Sequence, residues 1–103
     1  MVFYLSTPAE ILHALGVRLR EQRLAQSLTQ RELAQMAGLS LGALRKLETD
    51  GQCSLETLVR VAQALGLLDA LEDIFVLKRQ SIAQMEQVEV VSRRQRAPRK
   101  KTP

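Results

Sequence analysis

Apolar residues recur at helical spacing through roughly the first three-quarters of the chain, and polar capping residues cut that pattern into five segments. Ile11, Leu12, Leu15 and Leu19 form the first stripe. Thr7-Pro8-Ala9-Glu10 precedes it as a capping box, with proline at the first helical position, where its missing N–H costs nothing. Gly16 weakens a helix interior by about 1 kcal/mol relative to alanine, so a bend or break is expected there. Thr29 and Glu32 form a second capping box, which starts a helix at Gln30 with Leu33, Ala34 and Ala37 on one side. Gly38 follows where a residue with positive φ is needed to end it. Ser40 then caps a third helix whose Leu44 and Leu47 point inward, leaving Leu41, Gly42, Arg45 and Lys46 outside. Small Ala34 lets the second and third helices cross closely. Thr49 to Cys53, with its Asp50-Gly51 turn dipeptide, is predicted as a polar loop. Ser54 caps a fourth helix with Leu55, Leu58, Val59, Ala62 and Leu65 as its inward face, ended by Gly66. Leu67, Leu68, Leu71, Ile74 and Phe75 continue into a fifth helix with Asp69, Glu72 and Asp73 outside. That last stripe either closes the core or forms a dimer contact.

The two ends carry less pattern. Val2 to Leu5 reads as a short strand or an apolar arm. Ser81 to Glu86 is compatible with helix, and Val88 and Val90 alternate with Glu89 as a strand would. From Arg93 to Pro103 the chain is basic with two prolines, a composition expected to stay disordered in the free protein. The reading is therefore an arm over 1–7, one helical domain over 8–77, and an extension with a basic tail over 78–103.

Composition agrees with an all-α domain. Of the 103 residues, 46% are hydrophobic but only 3% aromatic, and β-branched residues are few. The length suits one small domain with tails. No apolar run approaches the roughly 20 residues of a membrane span, and the opening MVFYLSTPAE lacks the basic start and apolar core of a signal peptide, so a cytoplasmic location away from membranes is expected. Cys53 is the only cysteine, which excludes an internal disulfide or a cysteine-based zinc site. His13 has no partner at ligand spacing, and no metal or cofactor is expected. With no phosphate-binding glycine loop and no nucleophile–base motif, neither is an enzyme.

Charge changes the picture more. The formal net charge is +4, but six of the 15 basic residues (Arg93, Arg94, Arg96, Arg99, Lys100 and Lys101) crowd the tail, leaving 9 bases against 11 acids elsewhere. Affinity for nucleic acid must then come from local placement rather than bulk charge. Arg18, Arg20, Arg23, Arg31, Arg45 and Lys46 outnumber Glu21, Glu32 and Glu48 in the first half. Asp50, Glu56, Asp69, Glu72 and Asp73 dominate the second.

The stretch TQRELAQMAGLSLGALRKLE, with apolar Leu33, Ala37, Leu39, Leu44 and Leu47 and small Ala34 and Gly38 between them, resembles the Cro/CI-type (XRE) helix-turn-helix family. LGVRLREQR, from Leu15 to Arg23, is similar to the first helix of that family. The resemblance implies a five-helix, lambda-repressor-like domain and a DNA-binding repressor that acts as a dimer on a palindromic operator, with the second helix of the motif in the major groove. It implies base-facing positions at Leu41, Gly42 and Lys46, with Ser40 and Arg45 close by. Gln30 is implied as a phosphate contact at a helix N-terminus, and Arg31 and Thr49 as further phosphate candidates. It also implies an ion pair between Arg23 and Glu48. The pattern departs from relatives that carry glutamines at the first two positions. Leu41 can meet only a thymine methyl and Gly42 reads no base edge, so hydrogen-bond readout falls to Lys46, with Arg45 its neighbour, and part of the specificity to DNA shape.

The segments STPAEILHALGVRLREQR and SLETLVRVAQALGLLDALEDIF, with the basic tail, look like the HipB antitoxins. These are dimers that repress their own operon and bind a HipA-like serine/threonine kinase toxin, joined in three-gene operons by a small third protein. A stand-alone phage or metabolic repressor remains the alternative within the same class. A protein-interaction adaptor that never meets DNA is the alternative outside it.

Overall fold

The computed structural model describes residues 3–78, and they divide into two units, one ending at Asp73 and one beginning at Ile74. Among the described residues there are five α-helices and no strand: α1 (Pro8–Ala25), α2 (Gln30–Ala37), α3 (Leu41–Asp50), α4 (Leu55–Ala64) and α5 (Leu68–Glu72), preceded by a 3-10 turn at Phe3–Leu5. The all-α prediction holds.

Local chemistry sets the boundaries. Thr7 Oγ1 accepts from the Glu10 amide at 3.2 Å while Glu10 Oε1 accepts from the Thr7 amide at 2.8 Å. Thr29 and Glu32 repeat the exchange at 3.0 and 2.9 Å. Both carboxylates are held below the usual range, chiefly by the backbone amide each accepts from. Ser40 Oγ accepts from the Ala43 amide and Ser54 Oγ from the Thr57 amide, opening α3 and α4. Gly38, at φ 69°, ends α2 in the left-handed region, and the Leu39 amide then closes back on the Ala34 carbonyl at 2.8 Å.

The core is built from the inner faces of α2, α3 and α4. Leu33, Leu44, Leu47 and Val61 are fully buried, with Ala34, Ala37 and Leu65 beside them and Leu19, Leu28, Leu39, Ala64 and Leu67 packed at the margin. Each fully buried Leu or Val contributes about 1.5–3 kcal/mol by leaving water.

Five expectations are corrected. Gly16 does not break α1, which runs unbroken for 18 residues. Gly16 is buried, and a Cβ there would collide with the Leu47 carbonyl and crowd that of Glu48, so its function is to let α1 lie directly on the backbone of α3. Thr49 and Asp50 are not loop: α3 continues through them to Gly51, whose φ of 72° caps it, and whose missing Cβ makes room for the Leu12 carbonyl of α1. In α4 the inward stripe is Leu58, Val61, Ala62 and Leu65; Leu55 is 77% exposed and Val59 41%. At 100° per residue the first four share one arc, and Leu55 and Val59 fall on its edge. The fifth helix stops at Glu72, so Ile74 and Phe75 are not helical, and Phe75 stands at φ 57°. Glu72 and Asp73 place negative charge on the negative end of that helix, and no side chain caps its start. Lastly, of the two readings of Val2 to Leu5, strand or apolar arm, the strand is overturned: Phe3 to Leu5 form the 3-10 turn, with the Arg18 guanidinium 4.9 Å from the centre of the Phe3 ring. The helix and strand readings over 81–90 and the basic tail lie outside the described residues, as does Val2.

Candidate nucleic-acid interface

The α2–α3 pair is clamped by one buried carboxylate. Glu48, 4% exposed near the end of α3, accepts from Arg23 Nε at 2.7 Å through Oε2 and from Arg23 Nη2 at 3.0 Å through Oε1. This is the bidentate fork for which a guanidinium is suited. Arg23, itself 6% exposed on α1, sends Nη1 to the Leu28 carbonyl at 2.7 Å, in the linker ahead of α2. Gln30, the first residue of α2, donates its side-chain amide to Glu48 Oε1 at 3.1 Å. Its own carbonyl oxygen accepts from Arg45 Nε at 3.4 Å. Arg23, Leu28, Gln30, Arg45 and Glu48 therefore form one connected network joining α1, the linker, α2 and α3, and no buried side-chain polar atom among the described residues lacks a partner.

Two further contacts fix α3 against α1. His13 Nδ1 donates to the Thr49 carbonyl at 3.0 Å, in the last turn of α3. Gly16 and Gly51 allow the backbone approach described above. At the other end of α1, Gln26 Nε2 donates to the Leu65 carbonyl at 2.8 Å and ties α1 to the end of α4.

With its inner face committed, α3 turns outward a stripe of Leu41, Gly42, Arg45, Lys46 and Thr49, all within about 140° of arc by helical periodicity. Gly42, Arg45, Lys46 and Thr49 are exposed and Leu41 is half-buried, while Ser40 sits at the cap. Gln30 and Arg31 stand at the start of α2, Gln30 half-buried and Arg31 exposed. Among the described residues neither the Arg31 nor the Lys46 side chain has a hydrogen-bond or ion-pair partner. The geometry thus brings Ser40, Leu41, Gly42, Arg45, Lys46 and Thr49 onto one helix, and joins Gln30 to Arg45. The inward side of Gln30 and the roles of Leu28 and His13 were not legible from the sequence. A main-chain carbonyl acceptor leaves no residue signature, and His13 meets α3 across 36 positions of chain.

The apolar residues considered as a dimer contact do not share one helical face. Leu67 and Leu71 are half-buried and Leu68 is 43% exposed. Ile74 and Phe75, beyond the helix, are 45% and 100% exposed. Cys53 is exposed beside the start of α4, and partial burial pushes its thiol up, away from the thiolate form. Among the described residues no group of three potential ligands could hold a metal ion, and no helix is long and apolar enough to cross a membrane.

A family model for the helix-turn-helix matches residues 19–72, from the middle of α1 to the end of α5. No curated protein matches the chain.

Proposed function

The chain belongs to the Cro/CI-type (XRE) helix-turn-helix family, whose members are DNA-binding transcription regulators, and from that premise we propose that it is a sequence-specific repressor acting as a symmetric homodimer on a palindromic operator. The observation that carries this reading is the contrast between the two faces of α3. One face is locked by Glu48, Leu44 and Leu47, and the other is presented with Lys46 unpaired among the described residues. In the proposed complex α3 lies in the major groove. Leu41 meets a thymine methyl and Lys46 donates to a guanine edge, while Gly42 leaves room for close approach. Ser40, Arg31, Thr49 and the main-chain amides at the start of α2, at Gln30, face phosphates. Leu67, Leu68, Leu71, Ile74 and Phe75 supply the apolar area for self-association.

The finer assignment is an antitoxin that represses its own operon and binds a HipA-like kinase toxin, with a small third component in three-gene operons. Its support is the likeness of the flanking segments to the HipB antitoxins. The alternatives are a stand-alone repressor, or an adaptor without DNA. Selection of binding sites from random duplex DNA with the full chain tests the first level. Two inverted half-sites about 34 Å apart support the repressor, and an unenriched pool overturns it in favour of the adaptor. Co-purification with the product of a neighbouring kinase gene tests the second.

A further inference from the structure

Arg45 and Lys46 are adjacent cations on the exposed face of α3, and their surroundings divide their roles. Glu48 is already engaged by Arg23, and an ionised carboxylate has only acceptor sites. The Gln30 side chain must therefore turn its NH₂ inward, which it does at 3.1 Å. That orientation spends one N–H of Gln30 on Glu48 and turns its carbonyl oxygen to the outer side. A carbonyl oxygen repels a phosphate oxygen, but it can hold a guanidinium, and Arg45 Nε lies 3.4 Å from it. Arg45 is thus drawn back from α3 towards the first residue of α2.

In a helix-turn-helix the first helix of the pair crosses the DNA backbone while the second enters the groove. A guanidinium tied to the start of α2 is on the backbone side. We infer that Arg45 is a sequence-neutral phosphate contact and that Gln30 acts through it, as a positioning residue whose side chain does not itself touch DNA. The inference rests on the repressor reading above. It leaves Lys46 as the one cation of α3 that reads a base, and it makes Gln30 the link by which the buried Arg23–Glu48 pair sets the direction of Arg45.

The test is a salt titration of binding to the selected operator, with the full chain carrying Arg45→Ala, Arg45→Lys, Gln30→Ala or both alanines, each first checked for folding by thermal melting. Arg45→Ala is expected to weaken selected and scrambled DNA by the same factor and to reduce the salt slope by about 0.9, one phosphate contact. Arg45→Lys is expected to restore the slope. The affinity losses of Gln30→Ala and Arg45→Ala are expected not to add in the double variant, because both act on the same phosphate. Additive losses overturn the positioning role, and a changed base preference in Arg45→Ala overturns the phosphate role. An unmodified chain that fails to distinguish operator from scrambled DNA instead sinks the repressor reading, and this inference with it.

Discussion

Gly16 and the Arg23–Glu48 pair show how single residues decide the pose of α3. Alanine at position 16 would gain about 1 kcal/mol of helix propensity, yet its methyl would be driven into the Leu47 carbonyl, which is main chain and cannot rotate away. Overpacking of this kind costs about 1–3 kcal/mol, so Gly16→Ala is expected to lower the urea midpoint despite the better propensity. An unchanged or higher midpoint would mean that α1 can lift off α3 without loss. Arg23→Ala is expected to cost more, about 3–5 kcal/mol, because it strands a carboxylate only 4% exposed. Equilibrium denaturation at neutral pH reads both values. A loss under 1 kcal/mol for Arg23→Ala would show that water or Gln30 alone satisfies Glu48.

At the scale of elements, the caps are the features most plainly written in the sequence. Thr7–Glu10, Thr29–Glu32, Ser40 and Ser54 each open a helix where a hydroxyl stands three residues before the amide it caps. Glu10 and Glu32 are held below their ordinary pKa in the folded chain. Their contribution is therefore complete above the unfolded carboxylate range, and it is lost as pH falls through the depressed folded values. Thermal melts from neutral to acid pH should show stability falling across that window. Glu32→Gln, which can still cap but cannot titrate, should reduce the dependence. Identical pH profiles would remove the α2 capping box from the account. What was not legible at this scale has a common cause. The continuation of α3 to Asp50, the burial of Val61 in place of Leu55 and the early end of α5 at Glu72 all depend on which neighbour each helix meets. Local spacing carries no record of that neighbour. Gly51 could be read as a turn from its preceding aspartate, but its use as the floor beneath Leu12 becomes visible only when α1 and α3 are together.

For the whole molecule, the nearly balanced charge outside the tail means that non-specific affinity rests on few groups. The six basic residues after Ser92 are expected to act as a DNA arm. Truncation after Ser92 should flatten the salt dependence of operator binding, at about 0.9 per phosphate released. Identical slopes would move the tail to a protein partner. Self-association is expected to yield a symmetric dimer on light scattering at micromolar concentration, and a protein mass that stays at 11.6 kDa, both alone and within the operator complex, would contradict it.

In the proposed function the outer face of α3 reads DNA sequence. This role is tested most directly by measuring the affinity of Lys46→Ala and the unmodified chain for every single-base variant of the selected operator. The expected result is a loss of about 1–3 kcal/mol on the operator, with discrimination relaxed at one position in each half-site and retained elsewhere. An unchanged preference at every position would contradict this role.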